Sequence, residues 1–438
     1  MKKEEKLKLY LNSLCVYKCI FDQGVGDKFL KLVDNMCQGV SFSGSINAYS
    51  DFTYELFMKN ENLSLKECIV DAMLLDTNPF NIRLEENTVL PKFLKDGLKS
   101  ELECLGYITS MNSSDIKEIL SEKFNADKVV ENRIKTLLDF GLINDKYVAK
   151  NKTDYEKLKE KLINNDNWQD YTDDLIEFHM KNGTGRSTAY TAFVWERYDN
   201  EDEGRLREIK EPDPVRLKDL IGYESQKQEI IENTENFLKG IPANNLLLYG
   251  ARGTGKSSTV KAILNEYADE GLRLIEVDKE QLGDFTRIIR LLRYKKQKFI
   301  IFVDDLVFAE NEASYSALKT ILEGRVENRP DNILIYATTN RRHLVQEKFS
   351  DREDVNYKDT REEKLSLADR FGITISFLAP NQIEFLQIVK GIVESRNIEI
   401  DEKELESEAL KWEKWHNGRS PRSAVQFANW LEGNVKNR

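Results

Sequence analysis

No run of apolar residues approaches the ~20 needed to cross a bilayer, so the 438-residue chain is expected to have no membrane-spanning segment. The N-terminus, Met1-Lys2-Lys3-Glu4-Glu5, is charged where a signal peptide would carry an apolar core. A cytoplasmic protein is the expectation. Histidine is scarce, and none precedes His179. Cysteine is confined to the first quarter of the chain, at Cys15, Cys19, Cys37, Cys68 and Cys104, in a spacing that fits no zinc pattern. Their odd number fits reduced thiols, read as small buried hydrophobes. An excess of basic charge is also lacking. The formal net charge of -11 argues against a general nucleic-acid binder, although phosphate binding depends on local charge. No dense Lys/Arg stripe with interleaved aromatics is read from the sequence. Internal repeats and low-complexity tracts are absent.

What is present is a soluble globular composition, 40% apolar and 32% charged, over a length that calls for two or three domains. Residues 1 to about 180 read mainly as helix, with apolar residues at three- and four-residue steps in Leu90–Leu105 and Ser114–Phe140. Ser113-Ser114-Asp115 is a candidate N-cap for the second of these. Thr188–Trp195 is a candidate strand. Tyr198–Pro214 is acidic, ends in Pro212-Asp213-Pro214, and reads as a linker holding a domain boundary. Beyond it, strand candidates Leu246–Tyr249, Leu272–Val277, Phe299–Val303, Ile333–Ala337 and Ile373–Phe377 alternate with helices such as Ser257–Tyr267, Phe285–Tyr294 and Ser314–Leu322. That alternation implies a parallel sheet covered on both faces. From Pro380 only helices are expected: Gln382–Ser395, Glu402–Trp415 and Pro421–Gly433. The expected organisation is a mainly helical N-terminal domain over 1–198, an α/β core with five parallel strands over 199–379, and a helical lid over 380–438. Gln346–Lys364 is dense in charge and reads as a surface loop.

Gly250-Ala251-Arg252-Gly253-Thr254-Gly255-Lys256-Ser257 fits the phosphate-binding loop pattern G-x-x-x-x-G-K-[ST]. Glycines let the backbone N–H groups turn inward onto phosphate oxygens. Lys256 reaches the β- and γ-phosphates, the Ser257 hydroxyl ligates Mg2+, and the following helix, opening at Ser257-Ser258, adds its positive end. The apolar strand Leu246–Tyr249 runs straight in and the helix runs straight out. ATP with Mg2+ is the ligand this predicts. Phe299–Val303 is a second buried strand, and Asp304 and Asp305 emerge at the end where open α/β sheets bind ligands. Asp304 is expected to hold Mg2+, and Asp305 to orient or deprotonate the attacking water. Ile333–Ala337 ends in Thr338-Thr339-Asn340, and if it lies beside the phosphate-loop strand the Asn340 amide reaches the γ-phosphate or the water. Arg370, just before the last strand, could reach a neighbouring subunit's γ-phosphate. Arg422, opening the last helix, could contact the phosphates from the lid, with Arg419 as its rival. For each arginine the plain alternative is an exposed salt bridge.

In this order the motifs resemble an AAA+ ATPase from about Pro212 onward, with Gly250–Ser257 as the Walker A and Asp304-Asp305 as the Walker B elements. Asp369-Arg370-Phe371-Gly372 is similar to the step in the Holliday-junction branch-migration motor and clamp-loader relatives. A more specific likeness is carried by Leu217-Lys-Asp-Leu-Ile-Gly-Tyr-Glu224, Asn233-Thr234, Pro242–Gly250, Asn340-Arg-Arg-His-Leu344 and Ala192-Phe-Val-Trp195. These resemble the bacterial AAA+ family known as domain-of-unknown-function family 815. The resemblance implies that Arg370 is a trans arginine finger, that Arg422 is the second sensor, and that Leu220-Ile221-Gly222-Tyr223 line the adenine pocket. It also implies assembly into a homo-oligomeric ring or arc, six subunits being the AAA+ default. Most AAA+ members carry Glu where this chain has Asp305, one methylene shorter. Glu310 is the substitute base within reach in sequence.

The leading expectation is an ATPase that drives conformational change in a protein partner bound through the N-terminal region. The alternatives are a nucleotide-gated assembly scaffold with little turnover, kept open by Asp305, and a clamp-loader-like nucleic-acid remodeller, disfavoured by the acidic balance. A small-molecule kinase would leave Asn340, Arg370 and Arg422 without a role.

Overall fold

The computed structural model describes residues 1–38, 41–59, 64–85, 90–124, 128–141, 146–149, 153–197, 204–307, 318–319, 322, 330–340, 370–416 and 418–436. The chain divides into two compact units, Met1–Ala189 and Tyr190–Arg438. No helix among the described residues is long and apolar enough to cross a membrane.

The first unit is helical. Its core gathers Phe29, Tyr49, Phe52 and Trp168, all fully buried. The Glu101 carboxylate accepts the backbone N–H groups of Cys15, Val16 and Tyr17 at 2.9–3.1 Å, which satisfies a buried anion with fixed donors. Where one helix was expected over Ser114–Phe140 there are two, Ser113–Lys123 and Lys128–Lys135. The first is capped by Asn112 rather than by Ser113. Asn112 accepts from the Asp115 N–H at 3.1 Å, and the Asp115 carboxylate accepts from the Asn112 N–H at 3.3 Å, a reciprocal capping box. The cysteines are free, but Cys15 and Cys19 are exposed rather than buried. Partial burial, together with Asp76 beside it, raises the Cys19 thiol to about 11, well away from a reactive thiolate.

Among the described residues the second unit is built on seven strands: β1 (Ala192–Glu196), β2 (Arg205–Ile209), β3 (Asn245–Gly250), β4 (Leu272–Glu276), β5 (Lys298–Val303), β6 (Ile333–Thr339) and β7 (Gly372–Phe377). They lie in the order β2-β1-β4-β5-β6-β3-β7, all parallel except β2. The five expected strands are present, and β1 and β2 extend the sheet at one edge. β2 falls inside the acidic stretch taken for a linker. An edge strand needs only one ladder and few apolar groups, so Arg205-Leu206-Arg207-Glu208-Ile209 carries little of the apolar signal of a central strand.

Period-two alternation divides each central strand between two cores. Phe299, Ile301 and Val303 of β5 join Ile333, Ile335 and Ala337 of β6 on one face. Ile300, Phe302, Leu334 and Tyr336 join Leu246 and Leu248 of β3 on the other. Both faces are covered, which is why these strands read as continuous apolar runs. Gln382–Ser395, Glu402–Trp415 and Pro421–Lys436 form a three-helix bundle with its own core around Phe385, Val389, Ala409 and Phe427.

Candidate functional site

Because β3, β5, β6 and β7 are parallel, their C-terminal ends share one edge of the sheet. That edge gathers the end of β3 at Gly250, the carboxylates after β5, and the amide after β6. Gly250 must be glycine. At φ 140°, a Cβ here would lie 2.0 Å from the Phe377 carbonyl oxygen of β7. Gly253 and Gly255, at φ 76° and 91°, hold the turn that aims the loop into the helix Lys256–Tyr267.

Lys256 is buried, and its ammonium donates to the carbonyls of Gly250 at 3.0 Å and Ala251 at 2.7 Å, and to Asn340 Oδ1 at 3.0 Å. Burial pulls this ammonium below the ordinary lysine value; Asp304 and Asp305 oppose that, and Arg422 and Arg252 add to it. The Ser257 hydroxyl donates to Asp304 Oδ1 at 2.6 Å. Asn340 Nδ2 donates to Asp305 Oδ1 at 2.7 Å. The Asn340 amide thus bridges the loop lysine and the second carboxylate. This follows from β6 lying directly against β3, with Leu247 opposite Ala337.

A cavity of about 700 Å³ opens in front of these groups, a volume suited to a nucleotide-sized ligand. Arg252, Gly253, Thr254, Gly255, Lys256, Ser257 and Ser258 line it from the loop, with Asp304, Asp305 and Asn340 beside them. Gly250 and Ala251 sit behind, presenting their carbonyls to Lys256. Ile221 and Gly222 form a wall facing Ile388 and Ile392 of the first bundle helix. The bundle closes the cavity through Arg422, whose backbone N–H donates to the Gly253 carbonyl at 3.1 Å. Arg419 instead pairs with Glu413 at 2.8 Å and is not among the lining residues. Arg370 is not part of this cluster. It precedes β7 at the opposite edge of the sheet, where Gly372 pairs with Asn245 at the start of β3. The five steps from Asn245 to Gly250 amount to roughly 17 Å of strand. Glu310 and Gln346–Lys364 lie outside the described residues.

A model of the family described as "Protein of unknown function (DUF815)" matches residues 188–435, more than half of the chain. The chain belongs to this family. It is similar to the replication factor C large subunit of Staphylothermus marinus, 32% identical over 114 residues that make up 25% of this chain and 27% of that protein. It is also similar to the proteasome-activating nucleotidase of Methanocaldococcus jannaschii, 33% identical over 123 residues, 25% of this chain and 29% of that one. The DUF815 chain therefore spans under a third of the length of these curated relatives. Among solved structures, the Thermotoga maritima RuvB Holliday junction branch migration motor aligns at 18% identity and a TM-score of 0.36, over 51% of this chain and 66% of that one.

Beside the two carboxylates, Thr338 escaped sequence reasoning. The Thr338 hydroxyl donates to Asp304 Oδ1 and accepts the Asp305 N–H, the latter at 3.0 Å. Asp305 has φ 49°, left-handed for a non-glycine residue, and this hydrogen bond helps hold that backbone. The available signal was a hydroxyl two residues before Asn340, on a strand otherwise apolar. Thr338→Val in this DUF815 protein is expected to weaken Mg2+-dependent nucleotide binding about tenfold, as one buried hydrogen bond to a charged group is lost. Thr338→Ser should restore most of it. Titration of a fluorescent ATP analogue with and without Mg2+ checks this, and equal binding by the valine variant would contradict it.

Proposed function

We propose that this protein binds ATP with Mg2+ in the cavity between Gly250–Ser258 and the C-terminal helical bundle, and hydrolyses it to drive conformational change in a partner. The observation that carries this reading is the joined set at one sheet edge: Ser257 on Asp304, and Lys256 linked through Asn340 to Asp305. In this reading the loop N–H groups and the positive end of the following helix receive the β-phosphate. Lys256 exchanges its loop-carbonyl partners for β- and γ-phosphate oxygens. Ser257 Oγ and Asp304 Oδ1 are adjacent oxygen donors of the kind Mg2+ takes. Bound Mg2+ would offset charge on the phosphate oxygens. Asp305 accepts from the attacking water, with Asn340 fixing the carboxylate and pointing it at the γ-phosphate position. Ile221, Gly222, Ile388 and Ile392 surround the base. Arg422 ties phosphate state to the bundle, because its own N–H is anchored on the loop at Gly253.

Arg370 lies too far along the sheet to serve its own site, so in this reading it serves a neighbour's, in a homo-oligomeric ring or arc. The first unit is proposed to bind the partner. A scaffold with little turnover is the second reading. It is favoured by the short Asp305 side chain being already engaged by Asn340.

Asp305→Asn separates the two readings. The exchange removes the proton acceptor while keeping size, so nucleotide binding should persist and phosphate release should fall by at least about 10²-fold, within the range for losing a general base. Tagged Asp305→Asn protein with ATP should then retain a partner that wild type releases. Equal turnover by variant and wild type would remove Asp305 from the chemistry. Background turnover by both would favour the scaffold.

A further inference from the structure

The segment following Asp284 carries a charge pattern that the nucleotide site does not use. From Phe285 to Val303 there is no acidic residue, while Arg287, Arg290, Arg293, Lys295, Lys296 and Lys298 all fall there, in a chain of net charge -11. The helix Phe285–Leu292 buries Phe285, Ile288 and Leu292 against the sheet. Arg287, Arg290 and Leu291 are left facing outward, and Tyr294 beyond the helix end is 77% exposed. The three arginines recur every third residue, about 4.5 Å apart along the axis. The buried Asp284 carboxylate takes the Trp195 indole N–H at 3.0 Å and lies 3.7 Å from Arg287 and 3.9 Å from Arg197. Lys298 points elsewhere, over the Phe237 ring and onto the Asp331 carbonyl.

The topology sets this face apart from the cavity. The connection leaves the C-terminal end of β4 at the nucleotide edge and must return to the opposite edge to begin β5 in parallel. Arg293–Lys296 therefore sit at the edge away from Gly250–Ser257. Against the expectation of no cationic stripe with an interleaved aromatic, Arg287–Lys296 forms one around Tyr294.

We infer that this face docks a single-stranded nucleic-acid backbone, independently of whether ATP is hydrolysed. Guanidiniums in series present planar donor forks to phosphates, and an exposed tyrosine among them offers a stacking surface for a base. An acidic peptide would use the cations and leave Tyr294 and the 54%-exposed Leu291 unexplained. The arginines also make contacts within the chain, so the phosphates compete for them and the affinity is expected to be modest and steeply salt-dependent.

The test is fluorescence anisotropy of a fluorescein-labelled dT25 titrated with full-length protein at 50–200 mM NaCl. Wild type should bind at low salt, with log K falling by about 0.7 per phosphate contact for each unit of log salt. Arg290→Glu with Lys296→Glu should weaken binding at least about tenfold and flatten that slope. Tyr294→Ala should weaken it about fivefold or more, in line with one lost stacking contact, at an unchanged slope. Nucleotide binding and melting temperature serve as fold controls, and Tyr294→Ala stands alone if the double variant misfolds. The inference is overturned if wild type fails to bind dT25 at 50 mM NaCl, or if the variants bind as wild type does. Displacement of dT25 by polyglutamate at equal charge would also overturn it, pointing to an acidic protein instead.

Discussion

Replacing Arg370 with alanine is expected to lower kcat for ATP about 10³-fold or more, the range for losing an arginine that meets transition-state charge, while leaving nucleotide affinity unchanged. The basis is position. Arg370 precedes Gly372, which pairs with Asn245 at the start of β3, whereas the phosphate loop begins at the far end of the same strand. Within one chain the backbone before β7 and the phosphate loop lie at opposite ends of β3. A surface arginine with only a local role would change turnover little, so the size of the effect is diagnostic. Its trans character is read by mixing. Arg370→Ala subunits keep an intact phosphate loop, and Lys256→Ala subunits keep an intact Arg370. Neither alone should turn over ATP, and their mixture should recover a measurable fraction of wild-type phosphate release. No recovery from well-folded, co-assembling variants would place Arg370 outside the chemistry of a shared site.

Lys256→Ala is expected to reduce kcat/KM for MgATP by about 10²–10⁴-fold. The lysine would make two charge-assisted contacts to phosphates, each of about 1.5–3 kcal/mol when lost from a buried site, and about 1.4 kcal/mol corresponds to a factor of ten. The side chain is held inside the site by two loop carbonyls and Asn340. Its removal therefore leaves those acceptors, and the Asn340–Asp305 hydrogen bond, without their common cation. Both nucleotide affinity and turnover should fall, unlike Arg370→Ala, where only turnover does. Direct titration with a fluorescent ATP analogue, beside phosphate release, distinguishes the two patterns.

The parts of this site legible in the sequence were those whose geometry is local. Gly250–Ser257 specifies a loop, a helix start and a buried lysine within eight consecutive residues. Asp304-Asp305 and Asn340 were readable because a buried strand must deliver its next residues to one sheet edge. Thr338 was not readable, because its role depends on β6 lying between β3 and β5, which strand order decides and no short segment encodes. The walls supplied by Ile388 and Ile392 look like ordinary core positions of a helix, and only the packing of the bundle against Ile221 and Gly222 shows otherwise. β2 was hidden for a different reason. Edge strands are held by one ladder and need few apolar side chains, so an acidic setting masked it. The cationic series Arg287–Lys296 was passed over because net charge was weighed over the whole chain, where it is outnumbered.

The most direct measurement is steady-state phosphate release by the wild-type 438-residue chain across ATP concentrations, in excess Mg2+ and again in EDTA, beside Lys256→Ala. Saturable release in Mg2+, lost in EDTA and lost in the variant, is the predicted result. Release at the no-enzyme background in Mg2+, or release that Lys256→Ala retains in full, would contradict it.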